Sequence, residues 1–111
     1  MNIEEKVAQE VVSGVKSVLG EKLKKVILYG SYARGDYDKE SDIDIMVLAD
    51  IERKSVLDYR PQIRKISNRV GLENDIFVSL MLKSENYFRV NIPVSNFYRN
   101  IINEGKVLYN G

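Results

Sequence analysis

The sequence predicts an α/β (α+β) domain in which a short mixed β-sheet is flanked by helices. Apolar residues recur at three- and four-residue steps near both ends of the chain and in its middle, as amphipathic helices require. Short apolar runs of strand length alternate with those segments. The chain has 111 residues, 44% apolar and 30% charged. That is enough for one domain spanning residues 1–111 around a single core, and too little for two.

The first helix is expected over Ile3 to Gly20. Ile3, Val7, Val11, Val15 and Val18/Leu19 make one stripe, and Gly20 can cap its end. Valines are weak helix formers, so packing must hold this helix. Val26-Ile27-Leu28-Tyr29 reads as a buried strand ending at Gly30. A loop from Gly30 to Ser41 follows, and then Asp42-Ile43-Asp44-Ile45-Met46-Val47-Leu48 as a second strand. Residues 52–70 are expected to be helical, with Val56, Ile63, Ile66 and Val70 inward. Pro61 either starts a second helix there or kinks one, and Gly71 is expected to stop the segment. Asp75-Ile76-Phe77-Val78-Ser79-Leu80 is the third strand, and residues 84–90 a short helix. After Pro93, the residues Val94, Phe97, Tyr98, Ile101 and Ile102 fit a helix that ends at Glu104-Gly105. Lys106-Val107-Leu108-Tyr109 then adds a short edge strand.

Absent residues narrow the chemistry. The chain has no Cys, His or Trp. Disulfides, thiolate nucleophiles, zinc–cysteine sites and any imidazole base are therefore excluded. A metal would have to be held by oxygen ligands, which favours Mg²⁺, Mn²⁺ or Ca²⁺. With 17 Lys+Arg against 16 Asp+Glu the net charge is +1, which argues against bulk-charge binding of nucleic acid. No apolar run approaches the ~20 residues of a membrane span, and the acidic start Met1-Asn2-Ile3-Glu4-Glu5 does not read as a signal peptide. A cytoplasmic location is the expectation.

The informative stretch is Gly30-Ser31-Tyr32-Ala33-Arg34-Gly35 followed by Ser41-Asp42-Ile43-Asp44. Side chains alternate across a strand, so Asp42 and Asp44 share a face while Ile43 and Ile45 turn to the core. Two like charges on one face repel unless a cation compensates them, and hard divalent ions suit such a pair. A strand ending in Gly-Ser lets backbone N–H groups approach an anion closely, and a helix starting at Ser31 would add partial positive charge. The Ser31 hydroxyl can donate to a phosphate oxygen. Arg34 is a candidate phosphate contact, or equally a salt-bridge partner of a loop acid. Together these parts suit a metal-bridged polyphosphate and in-line phosphoryl or nucleotidyl transfer. A third carboxylate would complete a two-metal site, and Asp75 at the start of the third strand is the best candidate, with a capping role as its alternative.

Gly30-Ser31, ten residues, then Asp42-x-Asp44 resembles the signature of the polymerase-β-type nucleotidyltransferase superfamily. Gly-Ser-x-Ala-Arg-Gly with Ser-Asp-Ile-Asp resembles its minimal branch, the MNT-domain proteins that pair with HEPN-domain toxins. The ending from Phe97 to Tyr109 is similar to the end of such proteins. The resemblance implies a minimal nucleotidyltransferase fold and assigns Gly30 and Ser31 to the triphosphate of an NTP. It assigns Asp42 and Asp44 to Mg²⁺, with Asp75 as third ligand and base in a two-ion site. In that branch the donor is ATP, the acceptor is a tyrosine of the HEPN toxin, and modification of the toxin is the antitoxin mechanism.

Two other functions fit the same residues: a module that neutralises a partner by contact alone, and a transferase acting on a small molecule such as an aminoglycoside. An EF-hand over Asp36-x-Asp38-x-Glu40 fails, because position six is Ser41 rather than Gly and position twelve is Val47 rather than Glu. Those loop acids are expected to face solvent. No Gly-Lys-Ser/Thr follows Gly30, so this is not a P-loop. Arg53, Lys54, Arg60, Arg64, Lys65 and Arg69 form a basic stretch with Asp58 as its only acid. It reads as a solvated helix face or as an electrostatic docking face. Tyr32 is a candidate ring for stacking on a base.

Overall fold

A computed structural model describes all residues, Met1–Gly111. The order of elements is α1 (Ile3–Leu19), β1 (Leu23–Tyr29), α2 (Ser31–Arg34), β2 (Ile43–Ala49), α3 (Val56–Asn74), β3 (Val78–Ser84), α4 (Glu85–Asn91), α5 (Asn96–Glu104) and β4 (Lys106–Asn110). The four strands form one mixed sheet in the order β3-β2-β1-β4. β1 runs antiparallel to both β2 and β4. β2 and β3 are parallel, joined by α3 as a crossover, which a parallel pair needs.

Strand alternation divides the apolar residues between two faces. One face of the sheet, with Val26, Leu28, Ile43, Ile45 and Val47, is covered by Val7, Val11 and Val15 of α1 and Ile63, Ile66 and Val70 of α3. The other presents Ile27, Met46 and Leu48 to Phe88, Tyr98 and Ile101 of the C-terminal helices. The valine-rich α1 is held as its composition requires, because Val7, Val11 and Val15 are all fully buried. Asn2 caps its start, the side-chain oxygen accepting from the Glu5 N–H at 2.8 Å. Ser84, the one buried polar residue, caps α4, and Ser95 caps α5.

Three expectations shift in the structure. Pro61 does not start a second helix, because α3 runs through it from Val56 to Asn74. Gly71 does not end that helix either. The turn closes at Asp75, which adopts the left-handed conformation (φ 52°, ψ 46°), with its N–H and that of Ile76 both donating to the Gly71 carbonyl. Gly71 is needed because a Cβ there would lie 2.8 Å from the Ile76 carbonyl oxygen. The third strand consequently begins later than its apolar run suggests. Asp75 belongs to the turn, the Ile43 N–H donates to the Phe77 carbonyl at 2.9 Å, and β3 occupies Val78–Ser84.

Gly105 joins α5 to β4 under a similar constraint. A Cβ there would collide with the Ile101 carbonyl oxygen, lie 2.6 Å from Ile27 Cγ2 and 3.2 Å from the Leu28 carbonyl oxygen. Gly105→Ala is expected to cost about 2–3 kcal/mol through overpacking against backbone. Urea denaturation checks it: the midpoint falls at unchanged slope. An unchanged midpoint would mean that the α5–β4 joint can yield.

Candidate active site

β1 ends at Tyr29, and the chain leaves the sheet through Gly30 (φ 75°, ψ −156°), a conformation open to glycine but strained for other residues. The Gly30 carbonyl accepts from the Ala33 and Arg34 N–H groups at 3.1 and 3.0 Å, so one helical turn, α2, starts at Ser31 as its Gly-Ser context suggests. Gly35 closes that turn in the left-handed region (φ 85°). The loop then returns through Asp38, whose carboxylate accepts from the Glu40 N–H at 2.9 Å and from the Ser41 hydroxyl. This tight turn delivers Asp42 to the start of β2. Asp36, Asp38 and Glu40 are exposed, as expected.

Asp42 is exposed and Asp44 is half-buried, with Tyr29 opposite Asp44 on β1 and Ser79 beside it on β3. The Gly-Ser turn and Asp44 are in contact range: a Cβ on Gly30 would sit 2.5 Å from Asp44 Oδ2. The fourteen residues from Gly30 to Asp44 in sequence therefore close on one another, with Asp42 near enough for its charge to act on Asp44. Burial pushes the Asp44 carboxyl above the ordinary aspartate range, the neighbouring Asp42 charge pushes it the same way, and Arg34 opposes both. Tyr29 is pushed up to about 12, by burial first and the Asp44 charge second, so its hydroxyl stays protonated. A pair of carboxylates that repel each other fits a hard divalent cation such as Mg²⁺.

Other candidates are placed differently. Arg34 bonds Asp36 at 3.2 Å and Glu104 at 3.4 Å, so it acts as a bridge from the Gly-Ser turn to α5 while lending charge toward Asp44. Tyr32 is buried and stacked on Tyr37, with centroids 4.1 Å apart, which removes it as a base-stacking platform. Asp75 ends α3 instead of opening a strand, and no three acidic side chains anywhere in the chain converge as a metal-binding group. Asp75 is therefore not gathered with Asp42 and Asp44. The position beside Asp44 on the neighbouring strand belongs to Ser79, which sequence reasoning placed in a strand but not in the site. Strand pairing alone reveals it, and pairing register is invisible in a single sequence.

The sequence model of the nucleotidyltransferase domain matches residues 6–108. A Methanocaldococcus jannaschii protein named as a candidate protein adenylyltransferase is 40% identical over 106 residues, covering 96% of this chain and 98% of that one. A second from the same organism, named likewise, is 41% identical over 73 residues, covering 66% of this chain and 72% of its own. Among solved structures, a candidate nucleotidyltransferase from Sulfolobus solfataricus superposes with a TM-score of 0.65 at 24% identity, covering 95% of this chain and 78% of that one. A toxin–antitoxin crystal structure with AMP-PNP superposes at 0.59 and 21% identity, covering 94% and 73%. At these identities the structural likenesses establish a shared fold.

Proposed function

The chain belongs to the nucleotidyltransferase domain family and is an enzyme of that class, and we propose that it transfers AMP from ATP to a hydroxyl group of a partner protein. The observation that carries this reading is the contact of Gly30 with Asp44, which joins a phosphate-gripping turn to a carboxylate pair. The name of the 40%-identical relative supports protein as the acceptor. The AMP-PNP toxin–antitoxin neighbour supports ATP as the donor and a toxin as the partner. A tyrosine of a HEPN-type toxin is the acceptor that the minimal branch implies.

In this reading the backbone at Gly30 and the Ser31 amide and hydroxyl hold the polyphosphate. Asp42 and Asp44 would hold Mg²⁺, which would neutralise phosphate charge and polarise the α-phosphate. The acceptor oxygen forms a bond to the α-phosphorus while the bond to pyrophosphate breaks in line. The acceptor proton leaves to solvent, which the exposed Asp42 end of the site admits. This chain's own residues supply one ion's ligands. A second ion, with Asp75 or with a group from the partner, is not needed for these steps. Asp42 is exposed and Asp44 half-buried, an open shelf that leaves room for a protein acceptor.

Thermal shift with each of four NTPs, with and without Mg²⁺, tests the donor half. ATP with Mg²⁺ at about 100 times its dissociation constant should add ~2.7 kcal/mol, a rise of about 10 °C for a domain of this size. The shift should vanish in the Asp42→Asn/Asp44→Asn double variant. No shift with any nucleotide in a well-folded protein would sink the reading and leave neutralisation by contact. No helix of the chain is long and apolar enough to cross a membrane.

A further inference from the structure

We propose that the free edge of β3 is the docking site of the acceptor, which joins the sheet as a fifth strand and so carries a tyrosine to the Asp42–Asp44 pair. This rests on nucleotidyl transfer being the activity of that pair. β3 is an outer strand of the sheet, seven residues long, and it contains no proline. The Ile43 N–H donates to the Phe77 carbonyl. Parallel pairing then alternates, so the backbone groups of Ser79 and Met81 face β2, and those of Val78, Leu80 and Leu82 face outward with no strand to meet them. An apolar edge of this length with Lys83 as its only charged residue is a template for another chain.

The chemistry of the occupant is written beside the edge. A groove of about 390 Å³ runs along it, lined by residues 78–83 and by Arg60, Arg64 and Ser67 of α3. Arg60 and Arg64 are exposed, lie four residues apart on α3, and enter none of the salt bridges of the chain. Two unpaired guanidinium groups over an open strand edge call for acidic side chains on the incoming strand. At the end of the edge nearest the carboxylates, Leu72 and Phe77 are 84% and 82% exposed and line a second groove that shares Ser67 and Val78 with the first. An apolar residue of the partner fits there.

The sheet geometry fixes what reaches the site. Asp44 and Ser79 are register partners, so their side chains share a face. A residue of the added strand opposite Ser79 would share it too, two strand spacings from Asp44, about 9–10 Å. A tyrosine spans that gap across the small Ser79 side chain, while serine and threonine hydroxyls stop short. Its neighbours turn to the opposite face: the one opposite Leu80 lies on the side of Arg64, with Arg60 one turn further along α3, and the one opposite Val78 lies by the Leu72–Phe77 groove. The preferred acceptor is therefore an extended segment of the partner with an acid next to its tyrosine, and an acid on each side serves either strand direction.

The test uses the full chain and a labelled peptide, Thr-Val-Glu-Tyr-Glu-Val-Thr, in two assays: fluorescence anisotropy for docking and radiolabelled AMP transfer for delivery. Comparators carry Lys for both Glu, Ser for Tyr, or N-methyl groups on one or the other set of alternate amides. The Glu peptide should bind and be modified, and the Ser peptide should bind without modification. One N-methyl set should lose binding while the other keeps it, the signature of strand pairing. Arg60→Glu/Arg64→Glu should raise KM for the Glu peptide at least tenfold, transfer preference to the Lys peptide, and leave the Mg²⁺–ATP thermal shift unchanged. No binding of the Glu peptide, equal loss from both N-methyl sets, or indifference to the charge reversal would overturn the proposal. A β3-to-β3 dimer in light scattering that the peptide does not dissociate would overturn it too. Peptide docking with no ATP shift and no transfer would instead show that the activity reading failed while the docking edge stands.

Discussion

Asp42→Asn/Asp44→Asn should abolish AMP transfer, by about 10³-fold or more, while the protein remains folded. A loss of that size corresponds to roughly 4 kcal/mol of transition-state stabilisation. Removal of Asp44, which lies against Gly30, together with its neighbour Asp42 should reach it. Stability should move the other way. The Asp44 carboxyl is held above its ordinary range by burial and by Asp42. A raised acid contributes stability that is present at low pH and lost as pH rises through its folded-state value. At neutral pH the ionised Asp44 is therefore a burden on the metal-free protein, and Asp44→Asn relieves it. The single variant should melt slightly higher than the parent at pH 7, by a few degrees at most for ~0.5 kcal/mol. The two should converge as acid protonates Asp44. Calorimetry across that pH range with chelator present checks the sign. A lower melting point for Asp44→Asn would mean that the carboxylate holds the fold rather than a cation. If the double variant still neutralises a toxin partner in cells, contact rather than transfer is the mechanism.

The elements were legible where local pattern decides them. The stripe of Val7, Val11 and Val15 fixes α1, and the alternation Asp42-Ile43-Asp44-Ile45 fixes which way β2 faces. The meeting of the Gly-Ser turn with Asp44 was legible, because a strand that ends in Gly-Ser and a neighbouring strand that opens on Asp-x-Asp place the two together. Asp75 was not. Whether a carboxylate after a long helix caps it or opens a strand depends on where the chain first meets the sheet. Here that is Phe77, set by a hydrogen bond from Ile43 more than thirty residues earlier. Pro61 shows the same limit, since its lost hydrogen bond is outweighed by Ile63, Ile66 and Val70 packing on the sheet. Arg34 was legible as a charge near the site but not as a bridge, because its partner Glu104 lies seventy residues away. The roles of Ser79 and of the β3 edge come from strand order, which no local pattern carries.

Gly30→Ala should lose transfer by about 100-fold or more, and the cause can be separated from simple instability. Two penalties meet at this position. The backbone there (φ 75°, ψ −156°) is strained for alanine, at a cost of about 1–3 kcal/mol. The new methyl would also start 2.5 Å from Asp44 Oδ2, so the carboxylate must move. A shift of about 1 Å in a reacting group is enough for a 10²-fold loss. Gly35→Ala is the control. It carries a milder backbone penalty, in the left-handed helical region (φ 85°, ψ 8°), and a Cβ there meets nothing within 4 Å, so it should lower stability by about 1 kcal/mol and leave transfer nearly intact. Transfer rates for both variants, measured well below their melting points, divide strain from displacement. A Gly30→Ala enzyme within a few-fold of the parent would mean that Asp44 has freedom to step aside, and that the glycine serves only the turn. A large loss confined to Gly30→Ala would mean that the absence of a side chain at the end of β1 is itself part of the active site, since it sets the position of the Asp44 carboxylate beside the phosphates.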